Sequence, residues 1–247
     1  MTVTFNRIAY QALQVCNALG MDQVDAAVRQ TGVAPGARAL DIGTGNAAVA
    51  IRLAQAFDLA VAAVEADPGM AELARSRIAE ARAGVDLIVA RSGDVLATQA
   101  PFDLIVALGT IEPAGAGLRE PADVFAALAR HLTAGGWLLW GDVTWRGEPP
   151  EPLRQVMEIH NTYAGDAGWR AAAGAAGLEV VSARMSSDAE WDHYVGAMQA
   201  AADDWLVAHP DDPAAAGVRA NAHRVATMLS FGRPHIDFGL YLMRRVT

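Results

Sequence analysis

The chain has 247 residues, of which 53% are hydrophobic and 19% charged, and these proportions exclude disorder as a description of the whole chain. Its formal net charge of −9 disfavours a nucleic-acid partner, because an acidic surface repels phosphate backbones. Cys16 is the single cysteine, so no internal disulfide can form, and no apolar run reaches the roughly 18 residues that a membrane span needs. We therefore expect a cytoplasmic protein that acts on a small molecule, without nucleic-acid or membrane partners, and a homodimer is left open.

Hydrophobic periodicity predicts that strands and helices alternate along most of the chain. Two helices are predicted at residues 4–19 and 21–31, before a turn at Pro35-Gly36. Strands are then predicted at residues 39–42, 59–64, 85–89, 102–108, 137–143, 178–185 and 236–246. Further helices are predicted at residues 46–57, 67–82, 121–132, 166–176, 189–209 and 213–229. This alternation indicates an α/β protein with a mainly parallel sheet that is covered by helices on both faces.

The most informative segment joins the first predicted strand to the helix that follows it. It reads ALDIGTGNAAVA over residues 39–50, so that an acid, Asp41, is followed by a Gly43-Thr44-Gly45 turn. Glycine permits a tight turn and the close approach of a ligand, and the start of a helix offers unpaired N–H groups. The pattern alone is a weak signal, because dinucleotide-binding proteins share it.

Two further acids follow the next two predicted strands. Glu65 ends the second strand, where a carboxylate can accept hydrogen bonds from two ribose hydroxyls. Asp94, within Ser92-Gly93-Asp94-Val95, follows the third strand, where a carboxylate can accept a hydrogen bond from an adenine amino group. The three acids together predict a site for an adenosine-containing cofactor at one edge of the sheet.

The order of these motifs resembles the class I S-adenosylmethionine-dependent methyltransferases. The matching sequences are Asp-x-Gly-x-Gly at 41–45, Val-Glu-Ala-Asp-Pro-Gly-Met at 64–70, Gly-Asp-Val at 93–95, Phe-Asp-Leu-Ile-Val at 102–106 and Leu-x-x-Gly-Gly at 132–136. The resemblance implies a three-layer, Rossmann-like fold with a seven-stranded, mostly parallel sheet, an antiparallel last strand and added N-terminal helices. It also implies a single domain over 1–247, with a helical cap at 1–34, a cofactor-binding core at 36–143 and substrate-side helices and last strands at 144–247.

The same resemblance implies S-adenosyl-L-methionine as the cofactor. Gly43 and Gly45 would pass beneath its methionine part, and Asp41 would hold the methionine ammonium directly or through water. Val95 would help to hold the adenine, and Ala66 would pack near the adenine face. The predicted cofactor-binding residues are Asp41, Gly43, Thr44, Gly45, Glu65, Ala66, Asp94, Val95 and Leu108.

Two alternatives to the methyltransferase are weighed. An NAD(P)-binding oxidoreductase shares the glycines and the acid on the second strand, but Asp41 would repel its pyrophosphate, whereas S-adenosylmethionine carries an ammonium and a sulfonium. A non-catalytic cofactor-binding domain on the same fold is the second alternative. Such a domain would be expected to have lost Glu65 or a loop glycine.

No fixed catalytic constellation is expected, because methyl transfer by in-line displacement chiefly requires a positioned nucleophile, and a base only if that nucleophile arrives protonated. Glu112 follows the fourth strand, and His160 and Tyr163 are predicted to share a helical face, so these three residues are the catalytic candidates. For Glu112 the alternative is a solvated loop acid, and for His160 and Tyr163 it is the polar face of a connecting helix.

Other polar and aromatic residues receive weaker predictions. The chain lacks an Asp/Asn-Pro-Pro-Tyr/Phe sequence after the fourth strand, which disfavours methylation of a nucleobase amino group, and it lacks metal-ligand spacing of its histidines. Trp191 and Tyr194 are predicted to pack against the sheet. Phe5, Tyr10 and Gln14 of the N-terminal helix either contact the substrate or pack on the sheet edge.

Overall fold

The computed structural model describes residues 3–99 and 101–246, and these residues form a seven-stranded sheet. The strands are β1 (Arg38–Ile42), β2 (Ala60–Glu65), β3 (Val85–Val89), β4 (Phe102–Leu108), β5 (Leu132–Trp145), β6 (Leu178–Met185) and β7 (Ile236–Arg245). Their order across the sheet is β3-β2-β1-β4-β5-β7-β6. Strands β1 to β5 pair in parallel, whereas β7 runs antiparallel to both of its neighbours. The predicted mostly parallel sheet with an antiparallel last strand is confirmed.

Helices cover both faces of this sheet. They are α1 (Phe5–Gln11), α2 (Met21–Thr31), α3 (Ala48–Phe57), α4 (Pro68–Ala81), α5 (Ser92–Thr98), α6 (Pro121–Arg130), α7 (Glu151–Met157), α8 (Asp166–Ala175), α9 (Asp188–Ala208) and α10 (Ala215–Gly232). Buried side chains of α1, α2, α3, α9 and α10 pack on one face, and those of α5, α6 and α8 pack on the other. The predicted three-layer fold is thus confirmed. None of the helices in the described part of the chain is long and apolar enough to cross a membrane.

The first helix is shorter than predicted. It ends at Gln11, and the chain then bends through residues 12–20. Asn46 donates hydrogen bonds to the carbonyl oxygens of Tyr10 and Leu13, and Arg77 donates to those of Gln11 and Leu13. A continuing helix would use these carbonyl groups for its own ladder, so the periodic apolar residues of this segment are buried without being helical.

The fifth strand is longer than predicted. It begins at Leu132, so it includes the Gly135-Gly136 pair that the sequence predicts to be a turn. It also continues to Trp145, because Asp142 to Trp145 pair with the antiparallel strand β7. Asp142 lies within the sheet, as predicted, and the strand runs two residues past the predicted end at Val143.

The sheet order places a crevice between β1 and β4. Helix α3, which follows β1, and helix α6, which follows β4, pack on opposite faces. Where the helices after two adjacent parallel strands pack on opposite faces of the sheet, the loops after those strands diverge. This divergence leaves space for a ligand at the carboxyl ends of the strands.

Candidate functional site

A cleft of about 430 Å³ opens at this crevice, and four of the first five strands or their loops reach it along with the N-terminal segment. Its lining residues are Ile42, Gly43 and Gly45 at β1, Val64, Glu65, Ala66, Asp67 and Met70 at β2, Ala90 and Ser92 after β3, Leu108, Gly109, Thr110 and Ile111 at β4, and Thr4, Asn6, Tyr10 and Cys16 of the N-terminal segment. Glu65 and Asp67 are acidic, and no described residue of this lining is basic. The cleft therefore favours a cationic ligand over a phosphate.

The turn after β1 forms one wall of the cleft. Gly43 and Gly45 have φ angles of 69° and 57°, a region that favours glycine, and the N–H groups of Gly43 and Thr44 both donate to the carbonyl oxygen of Val64 at 2.9 Å. A Cβ atom on Gly43 would lie 2.6 Å from the Thr110 side chain. Glycine is thus required at position 43 for both backbone conformation and space.

Asp41 and Thr44 lie beneath this turn rather than in the cleft lining. The Asp41 side chain is buried, and its Oδ2 accepts a hydrogen bond of 2.6 Å from the Thr44 hydroxyl. Burial raises the pKa of Asp41 to about 6, and the nearby Glu65 carboxylate acts in the same direction. None of the described residues that shift the pKa of Asp41 is cationic. A bound cation would therefore stabilise the ionised form of this buried carboxyl group.

Glu65 connects the turn to the loop after β2. One oxygen of its carboxylate accepts from the N–H of Gly45 at 2.9 Å, and the other accepts from the N–H of Asp67 at 2.9 Å. Since each carboxylate oxygen has two lone-pair sites, further acceptor capacity faces the cleft. This geometry suits a ligand that carries two hydroxyl groups.

Helix α5 carries two of the predicted adenine-side residues, Asp94 and Val95. It spans residues 92–98, and its first turns point Val95 into the core, where this residue is 4% exposed. The Val95 N–H donates to the carbonyl oxygen of Arg91. Asp94 is exposed in the first turn of α5, and the cleft is lined there by Ala90 and Ser92 instead.

The structure does not bring the three catalytic candidates together at the cleft. Glu112 accepts from the N–H of Gly117 at 3.1 Å, which braces its own loop. Helix α7 ends at Met157, so the predicted helical face shared by His160 and Tyr163 is wrong. His160 is exposed, while the Tyr163 ring packs edge-on against Trp145.

Tyr163 is also unsuited to act as a base near neutral pH. Burial raises the pKa of its hydroxyl, and the carboxylates of Asp142 and Glu158 raise it further. Its phenol therefore stays protonated across the physiological range.

The structure reveals site residues that the sequence pattern does not single out. Asn161 is buried and holds the loop after β4, since it donates to the Thr110 carbonyl at 3.0 Å and accepts from the Glu112 N–H at 3.2 Å. Cys16 also reaches the cleft, from the N-terminal segment. No local motif marks Asn161 or Cys16, because separate parts of the chain bring them together. Of the three N-terminal candidates, Tyr10 lines the cleft, whereas Phe5 is buried in the core and Gln14 is exposed elsewhere.

The predicted packing of two aromatic residues is what the structure shows. Trp191 is 3% exposed in the apolar layer beneath α9, and its ring meets that of Tyr194 edge-on at 6.0 Å.

Comparison with known proteins finds similarity to methyltransferases over part of the chain. Residues 39–136 match a family model described as a methyltransferase domain. A curated relative, tRNA1(Val) (adenine(37)-N6)-methyltransferase from Aeromonas salmonicida strain A449, is 40% identical over 103 residues. That match covers 40% of this chain and 42% of the relative, so less than half of either protein is aligned.

Several solved structures share the whole fold. A methyltransferase from Thiobacillus denitrificans superposes with a TM-score of 0.80 at 22% identity and covers 98% of this chain and 99% of its own. A methyltransferase from Geobacter sulfurreducens gives a TM-score of 0.79 at 23% identity, and the match covers 97% of this chain and 96% of the Geobacter protein. Both are described as S-adenosylmethionine-dependent and in complex with S-adenosyl-L-homocysteine. YjhP from E. coli superposes with a TM-score of 0.80 at 23% identity, and the match covers 97% of this chain and 98% of YjhP. Residues 39–136 are therefore similar to a methyltransferase domain, and the chain as a whole shares the Rossmann-like fold of these solved methyltransferases.

Proposed function

We propose that the chain transfers a methyl group from S-adenosylmethionine to a small-molecule acceptor and releases S-adenosylhomocysteine. The observation that carries the proposal is the acidic cleft at the glycine turn, whose described lining holds no basic side chain. When bound, the cofactor supplies a methyl group activated by a cationic sulfonium. The pyrophosphate of a dinucleotide would meet the carboxylates of Glu65 and Asp67 and no basic side chain among the described lining residues, which disfavours the oxidoreductase alternative.

Each part of the cleft suits one part of the cofactor. Gly43 and Gly45 give the methionine part close access to the backbone, while the Asp41 charge beneath the turn attracts its ammonium. Glu65 accepts hydrogen bonds from the ribose hydroxyls. Ala66 and Met70 offer apolar surface to the adenine. Asp94 stays our candidate for the adenine amino group, since it follows the lining residue Ser92 by two positions.

On the acceptor side, the chain's contribution is to position a nucleophile and exclude water. Leu108 to Ile111 form one wall of the cleft, and Tyr10 and Cys16 of the N-terminal segment form part of another. The acceptor binds between these two walls. The proposal gives no catalytic role to Glu112, His160 or Tyr163, because none of them lines this space.

Calorimetric titration with S-adenosylhomocysteine tests the cofactor assignment, with NAD and NADP titrated in parallel. We expect binding of S-adenosylhomocysteine alone. Binding of a dinucleotide instead would favour the oxidoreductase. If none of the three binds, the non-catalytic alternative replaces the proposal.

A tRNA acceptor is the second candidate, because the curated relative is named for methylation of a tRNA adenine. Against it, β4 is followed here by Gly109-Thr110-Ile111-Glu112 rather than Asp/Asn-Pro-Pro-Tyr/Phe, and the chain has a net charge of −9. Methyl-labelled cofactor should be incubated with total tRNA and, separately, with a small-molecule extract. Label in the extract alone is expected, and label in tRNA adenine would reject the small-molecule acceptor.

A further inference from the structure

Two buried polar atoms beside a small cavity have no hydrogen-bond partner among the described residues. Asp142 is 3% exposed; its Oδ1 accepts from the Val143 N–H at 2.8 Å, but its Oδ2 is unpaired. Trp140 is equally buried, and its Nε1 is unpaired. Both residues line a cavity of about 10 Å³ between β5, α6, α8 and the loops above them. Unpaired buried groups are rare in folded proteins and call for an explanation.

The two atoms have complementary chemistry. Trp140 and Asp142 are two positions apart on β5, so their side chains project from the same face of the sheet, about 7 Å apart at the backbone. An indole N–H can only donate, and a carboxylate oxygen can only accept. One small group that accepts from Trp140 and donates to Asp142 would satisfy both.

The size of the cavity limits what that group can be. A volume of about 10 Å³ holds one water-sized atom with its hydrogens, by the usual measure for buried water. A terminal hydroxyl group has the same size and can both donate and accept, as can an amino group in its neutral form. The remaining apolar lining includes Pro113, Pro121 and Trp169. The other polar residues of the lining are Arg119, Asn161 and Thr162, and their side chains already hydrogen-bond to Glu158, to Thr110 and Glu112, and to Glu120.

One loop separates this cavity from the cofactor cleft. Gly141, the residue before Asp142, pairs with the cleft residue Leu108. In the next segment, Thr110 lines the cleft and Pro113 lines the cavity. Asn161, which also lines the cavity, holds that segment by its hydrogen bonds to Thr110 and Glu112. The cleft and the cavity therefore lie on the two sides of one short segment.

We propose that the methyl acceptor carries a terminal amino or hydroxyl group that binds between Asp142 and Trp140 and so fixes the acceptor's orientation. The inference rests on the proposed methyl transfer, and it names the acceptor class as small molecules with an N–H or O–H terminus. Asp142 is a positioning residue in this scheme, because it anchors the acceptor beside the cleft rather than touching the transferred methyl group.

The indole N–H signals of the ¹⁵N-labelled protein, saturated with S-adenosylhomocysteine, give a direct test with ethanolamine as the probe. The Trp140 signal is identified by its loss in Trp140→Phe. We expect ethanolamine to shift that signal saturably in the millimolar range, an affinity that a ligand of this size can reach. 1,2-Dimethoxyethane, which cannot donate, should leave it unmoved.

Variants separate a site from a general effect. Asp142→Asn should weaken ethanolamine binding at least about tenfold, since the amide keeps the shape but loses the charge. Asp86→Asn, which removes an exposed carboxylate from β3, should bind like the unaltered protein. If Asp142→Asn does not fold, Trp140→Phe is titrated instead through the Trp169 indole signal, and a severalfold weakening is expected.

Three outcomes would overturn the inference: an unmoved Trp140 signal, equal affinity in Asp142→Asn, or, if Trp140→Phe is used, equal affinity in that variant. Failure of S-adenosylhomocysteine to bind would instead refute the proposed function itself. The two failures are therefore distinguishable within one experiment.

Discussion

At the scale of single residues, Asp41 has two roles: its carboxyl group is hydrogen-bonded to the glycine turn, and its ionised form places a negative charge beneath that turn. The same carboxyl group that accepts a hydrogen bond from the Thr44 hydroxyl lies beneath the glycines that line the cleft. Its raised pKa, about 6, results mainly from burial. The proposed attraction of the cofactor ammonium requires the ionised form, so cofactor affinity should depend on the protonation of this one residue.

We predict that S-adenosylhomocysteine binds more weakly as the pH falls from 7 to 5. Below the pKa of Asp41 the loss should approach a factor of about ten for each pH unit, because the ligand must displace the proton. Asp41→Asn should bind weakly throughout and with little dependence on pH. Calorimetry across this range measures both proteins, and a constant affinity of the unaltered protein would remove the role given to Asp41.

Gly43 is a second residue whose identity the structure explains. We predict that Gly43→Ala lowers the free energy of unfolding by at least about 1–2 kcal/mol, the cost of a left-handed conformation for an L-residue. It should also weaken S-adenosylhomocysteine binding, because the new methyl group collides with Thr110. Denaturant unfolding and calorimetry give the two quantities.

Gly36→Ala is the matched control for this substitution. Gly36 has a φ of 79°, but a Cβ there meets nothing within 4 Å, so the substitution should be destabilising without changing ligand affinity. Equal ligand affinities for Gly43→Ala and the unaltered protein would contradict the steric explanation.

At the scale of elements, the N-terminal segment (residues 3–19) closes one side of the cleft. Tyr10 and Cys16 line the cleft, and Asn46 and Arg77 hold the segment through its backbone carbonyl groups. The segment is thus fixed to the turn before α3 and to α4. Bound cofactor would lie beneath it.

Arg77→Ala should therefore accelerate the dissociation of S-adenosylhomocysteine. A charged hydrogen bond is lost on each of two carbonyl groups, and we expect the rate to rise roughly tenfold, which corresponds to about 1.4 kcal/mol. Stopped-flow displacement measures the rate. Arg75→Ala removes an exposed arginine from the same helix and should leave the rate unchanged. Identical rates for both variants would show that the segment does not retain the ligand.

At the scale of the whole molecule, two buried carboxyl groups make stability depend on pH. Burial raises the pKa of Asp41 to about 6 and that of Asp142 to about 7, whereas an aspartate in the unfolded chain titrates near about 4. Groups whose pKa is raised in the folded state stabilise it fully below the unfolded pKa. That stabilisation is lost as the pH rises through 6 and 7.

We predict that the ligand-free protein loses stability between pH 4.5 and 8, and that Asp142→Asn loses less. The difference should be on the order of 3 kcal/mol, because the amide has no charged form to bury. Urea unfolding at several pH values measures it. Asp86→Asn should follow the unaltered protein, and parallel curves for Asp142→Asn would show that its charge is not buried.

The sequence by itself determined the sheet, most of its helices and the glycine turn with its acids. Those features depend on local patterns: apolar runs of strand length, helical periodicity, and glycines next to Asp41. The resemblance of five spaced motifs predicted the fold, which the structure confirms.

Only the tertiary structure decided where the N-terminal helix ends, how far β5 extends and which residues face the cleft. Each depends on a distant partner: Asn46 and Arg77 take the carbonyl groups that helix α1 would need, and β7 extends β5 past Val143. Spacing along the chain likewise predicted a helical face at His160 and Tyr163 that the structure does not have. The unpaired Asp142 oxygen could not be predicted, because its surroundings are formed by β5, α8 and two loops together.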